Sequence, residues 1–142
     1  MILANGFQVE PTDGTPALAE EASRRLRVPV RVMRFHELNA ASRYDAVWAN
    51  ASLLHVPRPG LPAILARIRR ALRPGGLHFA SYKAGGREGR DRFGRYFNYL
   101  DEQELLTLYG AAGWKILDSG SRTGGGYDGK PGPWAWITTQ RH

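Results

Sequence analysis

The sequence contains no cysteine, no apolar run near the ~20 residues of a membrane-spanning helix, and no basic leader ahead of a hydrophobic stretch. The first absence excludes a disulfide scaffold and any thiolate metal site. The other two point to a soluble chain of cytoplasmic type. Its four histidines, at 36, 55, 78 and 142, show no ligand spacing, so no metal site is expected. There is no internal repeat and no linker that would divide the chain. Aromatics are not scarce, and apolar residues make up 42% of the 142 positions, which argues against disorder. One domain spanning residues 1–142 is the expectation.

Acidic residues are scarce in one place only. Residues 58–95 hold ten Lys or Arg against Glu88 and Asp91, a net +8, while the remaining chain has ten basic and eleven acidic residues. The basic bias therefore belongs to one segment and suits an anionic ligand. Arg67, Arg69, Arg70 and Arg73 are read as a solvated helix face. Arg87, Arg90, Arg92 and Arg95 share a glycine-rich loop with Lys83 and are the better binding candidates, because guanidinium forks match oxyanions. A nucleic-acid partner is not expected, since no nucleic-acid motif accompanies the charge. Such a partner would show affinity falling steeply with salt.

The pattern of elements alternates. Phe7 to Val9 reads as a strand entering the turn Pro11-Thr12-Asp13-Gly14. Thr15 as N-cap and Pro16 at the first helical position open a helix through Leu26, with Leu18, Ala22 and Leu26 on one side. Val30 to Met33 and Tyr44 to Ala49 read as strands. Leu61, Ile64, Leu65, Ile68 and Leu72 hold helical spacing, Pro74-Gly75-Gly76 ends that helix, and Leu77 to Tyr82 is a strand. Ala84 to Arg95 reads as a loop. Asp101 and Glu104 form a capping box for a helix to Ala112, closed by Gly113. Trp114 to Leu117 and Pro133 to Thr139 are the last strands. This predicts an α/β fold with a mostly parallel sheet, helices on both faces and an antiparallel C-terminal hairpin.

Gly124 to Gly129 matches G-x-G-x-x-G, and with Lys130 nearly a P-loop. Both matches fail because Lys130 runs into Pro131-Gly132-Pro133, which cannot open the helix whose N-terminus would receive a phosphate. A hairpin is expected instead. The informative residues are Asp13 after the first strand, His36 and Glu37 after the second, and Asn50 and Ala51 after the third. All fall at carboxyl ends of strands, where ligands sit in open α/β sheets.

In four stretches the sequence resembles the class I S-adenosylmethionine-dependent methyltransferases, in the small-molecule branch that includes tellurite-resistance-type enzymes. They are FQVEPTDGTPAL (7–18), YDAVWANASLLHVP (44–57), LRPGGLHFASYK (72–83) and GRYFNY (94–99). The resemblance implies a Rossmann-like sheet, S-adenosylmethionine as cofactor and methyl transfer to a small, anionic acceptor. It would place Asp13 and Gly14 at the ribose, His36 and Glu37 near the adenine, and Asn50 and Ala51 near the methionine part. His55, Tyr82, Lys83, Arg90, Arg92 and Arg95 would border the acceptor, with His55 as the candidate catalytic base. The family's first strand and glycine loop, roughly hhDhGxGxG, have no counterpart here, so the fold is expected to be truncated at its N-terminus. Met1 to Gly6 would be the tail of the first helix. Direct pairing of the flanking strands, a strand from another subunit in a homo-oligomer, or further chain upstream would each remedy the gap.

Several of these residues also have plainer readings. Asp13-Gly14 is a turn formula by itself. His55 between Leu54 and Val56 suits a partly buried, hydrogen-bonded histidine. His78 alternates with apolar residues and reads as structural. Trp134 and Trp136 read as core or pocket wall, and the Asn50-Ala51-Ser52 sequon is set aside for lack of a secretory signal. The alternative function is a non-catalytic, methyltransferase-like binding module.

Overall fold

The computed structural model describes residues 8–125 and 131–142, and the chain divides into two compact units, residues 1–39 and 40–142. The expected start of the first strand at Phe7, the helix tail at Met1 to Gly6 and the tip of the glycine motif, Gly126 to Lys130, lie outside the described residues.

In the first unit, β1 (Thr12–Asp13) pairs in parallel with β2 (Arg31–Val32), and α1 (Pro16–Leu26) connects them. Thr15 is the N-cap and Pro16 opens the helix, as the sequence predicts, but the Thr15 hydroxyl makes no cap bond. Asp13 does the work of holding the turn, its Oδ1 accepting the Thr15 N–H at 2.9 Å. The strand lies later than expected, since Gln8 and Val9 are outside any strand. The ladder forms where partners exist, with Arg31 N–H donating to the Pro11 carbonyl at 3.0 Å and Met33 N–H to that of Asp13 at 2.9 Å. Leu18 is 53% exposed while Ala19 is buried. The helix is turned so that Ser23 faces inward, donating to the Ala19 carbonyl and accepting the Val30 N–H, both at 2.8 Å.

The second unit is built on a four-stranded sheet of β3 (Tyr44–Ala49), β4 (Leu72–Lys83), β8 (Pro131–Gln140) and β7 (Lys115–Gly125), in that order. β3 and β4 are parallel, whereas β8 runs antiparallel to both β4 and β7. Among the described residues β3 has β4 as its one neighbour. The amphipathic helix α2 (Leu61–Ala71) buries Leu61, Leu65, Ile68 and Ala71, while Ile64 is half-buried. The chain then passes directly into β4. Pro74-Gly75-Gly76 does not delay the strand. The ladder starts at Tyr44–Leu72 and resumes at Ala46–Leu77, so the extra residues form a bulge with Gly75 at φ +81°.

The two faces of this sheet differ. On one, His78, Ala80 and Tyr82 of β4 and Ala135, Ile137 and Thr139 of β8 are buried under Tyr109 of α3 (Glu102–Ala111). His78 Nε2 lies 3.0 Å from the Tyr109 hydroxyl, which lies 2.8 Å from that of Tyr82, while His78 Nδ1 donates to the Val47 carbonyl at 3.1 Å. Burial lowers the His78 pKa to about 4, against a smaller opposing effect of the Val47 bond. Burial likewise raises the pKa of both phenols. On the opposite face Trp48 is 60% and Leu77 42% exposed, with the Trp48 ring stacked 4.2 Å from Phe79.

The capping box of α3 is present as predicted, Asp101 accepting from Glu104 N–H at 2.8 Å and Glu104 from Asp101 N–H at 3.3 Å. Helix and box are tied to the rest by Arg58. Its Nη1 meets Glu104 at 2.6 Å and its Nε meets the Asn98 carbonyl at 2.8 Å. Buried Asn98 donates its side-chain amide to the Leu53 and Val56 carbonyls, each at 2.9 Å. β7 and β8 pair out to Gly125 and Pro131, so a strand follows the glycine motif and not a helix.

Candidate functional site

Because β3 and β4 are parallel, their carboxyl ends share one edge of the sheet, and the chain leaves β3 there through Asn50 and Ala51. Ser81 of β4 is buried beside them. Its hydroxyl donates to Asn50 Oδ1 at 2.7 Å and accepts the Ala51 N–H at 2.8 Å. Ala51 stands at φ +53°, in the left-handed region that costs a non-glycine residue ~1–2 kcal/mol. Such local strain is held by surrounding bonds and collects at ligand sites. Asn50, Ala51 and Ser81 line a cleft of about 260 Å³ with Arg122, Gly124 and Trp134.

A larger cleft of about 580 Å³ lies beside Asp101, Glu102, Leu106 and Pro133. Its two acids are already engaged, Asp101 in the helix cap and Glu102 accepting the Ser119 hydroxyl at 2.7 Å. The smaller cleft is the one that gathers residues the sequence singles out.

Not all of the expected site residues are placed as the sequence suggests. In the first unit, Asp13 keeps one carboxylate oxygen on the Thr15 N–H, and His36 is exposed. Glu37 is exposed too, its Oε1 accepting the Arg34 N–H at 2.8 Å. Gly14 is at neither a positive φ nor a crowded position, the nearest neighbour of an added Cβ being Arg34 Cγ at 3.5 Å. Its own fold therefore does not require glycine there, which leaves the backbone open to close approach by a ligand.

In the second unit, His55 is exposed, not partly buried. Its Nδ1 donates to the Tyr96 carbonyl at 2.7 Å, and its ring lies 4.7 Å from that of Phe97. Since a carbonyl only accepts, Nδ1 carries a hydrogen, and in the neutral ring the lone pair is on Nε2. Tyr82 is fully buried with its hydroxyl on Tyr109, so the structure places it in the core and not on a pocket wall.

The expected basic loop is a small hairpin, β5 (Gly89–Arg90) against β6 (Tyr96–Phe97). Asp91 organises its turn, accepting the Phe93 N–H at 2.9 Å and the Arg95 N–H at 3.0 Å, with the Arg95 guanidinium at 2.7 Å. Partial burial works against the Asp91 charge, but the Arg95 and Phe93 bonds outweigh it and hold its carboxyl below the usual range. Arg90 Nη1 donates to the Gly94 carbonyl at 2.7 Å, and Arg92 lies over the Phe93 ring at 4.7 Å. Arg90 and Arg95 thus shape the hairpin itself. Lys83 and Arg95 share one ring, the Lys83 Nζ lying 5.4 Å and the Arg95 Cζ 5.1 Å from the Phe97 ring centre.

Sequence reasoning missed Ser81 and Arg122, whereas Trp134, read as core or pocket wall, lines the cleft. The available signal was the hairpin register, which sets Gly120 opposite Trp136 and Gly124 near Trp134.

A family model described as a methyltransferase domain matches residues 2–76, just over half of the chain. The chain belongs to the methyltransferase domain family. No curated protein matches it. Among solved structures, this methyltransferase domain is similar to a SAM-dependent methyltransferase from Methanosarcina mazei, at 17% identity and TM-score 0.86, covering 99% of this chain and 84% of that one. It is also similar to 1,6-didemethyltoxoflavin-N1-methyltransferase from Burkholderia thailandensis, solved with 1,6-didemethyltoxoflavin and S-adenosylhomocysteine. That likeness has 26% identity and TM-score 0.77, over 98% of this chain and 63% of that one. TehB from Haemophilus influenzae matches at 15% identity and TM-score 0.69, over 96% and 51%. The 17% and 15% likenesses are of fold, and they agree with the α/β, Rossmann-like architecture the sequence predicts. The chain spans about two thirds and half the length of the Burkholderia and Haemophilus proteins.

Proposed function

We propose that this methyltransferase domain transfers a methyl group from S-adenosylmethionine to a small, anionic acceptor, with residues 1–142 acting as one domain in the cytoplasm. The observation that supports this best is the Asn50–Ala51–Ser81 network, which fixes a strained turn at the carboxyl end of β3 and lines a cleft. Family membership and the S-adenosylhomocysteine bound by the Burkholderia relative point the same way.

S-adenosylmethionine supplies an electrophilic methyl on a sulfonium sulfur. Asp13 would accept hydrogen bonds from the ribose hydroxyls, and Gly14 would let the backbone come close. Glu37 and His36 would serve the adenine end, and Asn50 and Ala51 the methionine end. The protein's contribution is then alignment of acceptor and methyl with exclusion of water. Where the acceptor carries a proton, His55 Nε2 is the group that takes it, the Tyr96 carbonyl holding the tautomer in which that nitrogen is basic.

Isothermal titration of the chain with S-adenosylmethionine and S-adenosylhomocysteine tests this reading. One-to-one binding is expected, and Asp13→Ala should weaken it by ~1–3 kcal/mol while leaving the melting temperature within a few degrees. Unchanged affinity in Asp13→Ala would remove the ribose assignment. A folded chain that binds neither compound would favour the second reading, a non-catalytic binding module.

A further inference from the structure

On the more exposed face of the sheet, one cross-strand row runs Lys83–Trp134–Arg122 over β4, β8 and β7. Lys83 and Arg122 are each the direct partner of Trp134. Residues directly opposite in a ladder share a face with Cβ atoms ~4.5–5.5 Å apart; the Lys83 ammonium lies over Phe97, 5.4 Å from its ring centre, so the cation beside the indole in the cleft is Arg122. The next row toward the sheet interior is Ser81–Trp136–Gly120, and Ser81 belongs to the cleft network.

Two glycines of β7 make room for the rings. A Cβ at Gly120 would come within 2.6 Å of the Trp136 ring, and one at Gly124 within 3.0 Å of Cδ1 of Trp134. Neither glycine has a positive φ, so what they provide is space. The Trp134 indole lies down over Gly124 as a wall of the 260 Å³ cleft, with Arg122 beside it.

We infer that this row selects the acceptor: the cleft takes a planar aromatic or heteroaromatic carboxylate, stacked on Trp134, with its charge on Arg122. A flat π-face matches the seated indole, and a guanidinium fork matches a carboxylate. This rests on the methyl-transfer reading for its purpose but not for its test. Arg90 and Arg95, which the sequence offers for the same task, each make a bond within their own hairpin.

The test uses 2-naphthoate as probe, with 2-naphthol and cyclohexanecarboxylate as the neutral and non-aromatic controls, by calorimetry on the full chain with and without S-adenosylhomocysteine. The naphthoate should bind about tenfold or more tighter than either control, and Arg122→Gln should remove about tenfold of that affinity. Gly124→Ala, which displaces the indole while leaving the charges, should weaken the naphthoate and spare cyclohexanecarboxylate. Both variants should melt like the parent and bind S-adenosylhomocysteine unchanged. Equal binding of naphthoate and naphthol, or an Arg122→Gln chain that binds naphthoate like the parent, overturns the inference. Loss of S-adenosylhomocysteine binding in Arg122→Gln also overturns it, because the arginine would then hold the carboxylate of the cofactor's methionine part. Naphthoate bound through Arg122 by a chain that ignores S-adenosylhomocysteine would uphold the acceptor row and refute the methyl-transfer reading.

Discussion

The two faces of the four-stranded sheet use the same strands for opposite ends. One face is closed, with Ala80, Tyr82, Ala135, Ile137 and Thr139 buried and Tyr109 bonded to both His78 and Tyr82. The other is rich in large rings yet half-open, with Trp48 60% exposed and Trp134 and Trp136 partly covered. Alternation along β4 and β8 means every residue added to one purpose is followed by one given to the other. The closed face stores the stability, and the open face presents recognition groups at low cost in stability.

Replacing residues on the two faces should therefore have unequal effects. The largest is expected for Tyr109→Ala, which empties a fully buried aromatic site and strips His78 and Tyr82 of their partner. A loss of ~3–5 kcal/mol in urea unfolding is expected, and a loss under 1 kcal/mol would break the comparison. Next comes acid sensitivity. Above pH 6.5 His78 is neutral folded and unfolded. As pH falls from 6.5 toward 4 the unfolded chain takes a proton that the buried ring refuses, so stability declines, by ~3 kcal/mol in total. Below about 4 the folded ring protonates too and this contribution levels off. His78→Leu should lack that part of the acid slope when its urea-unfolding profile is set against the parent's. The smallest effect belongs to the open face, where Trp48→Ser should cost under ~1 kcal/mol, as exposed positions usually do. A larger loss would mean that the Trp48–Phe79 stack carries weight its exposure does not suggest.

What the sequence reveals of this fold follows the reach of each interaction. The Thr15-Pro16 helix start, the Leu61–Ile68 stripe and the Asp101–Glu104 box are decided within a few residues, and each stands where it is expected. The first strand is displaced because a two-residue ladder is fixed by its partner at Arg31 and Val32, not by its own apolar content. Pro74-Gly75-Gly76 looks like a break and is a bulge because β3 restores the register beyond it. Asn50 and Ala51 were legible as residues following a strand. Arg58, Asn98 and Arg122 were not, since each acts on residues far along the chain: Glu104, Leu53 with Val56, and the row through Trp134. In the basic segment the decisive pairing is local, Asp91 lying four residues from Arg95 and pairing with its guanidinium.

The hydroxyl contact between Tyr82 and Tyr109 has a consequence for the ultraviolet absorbance of the protein in base. Among the described residues these two tyrosines are sealed in the core, and burial holds their protons far into alkali. Raising the pH of the native protein should develop phenolate absorbance from the accessible tyrosines, then pause. The remainder should appear in a single cooperative step as the sheet comes apart, making the ultraviolet spectrum of the native protein in base a direct clock for the integrity of its closed face.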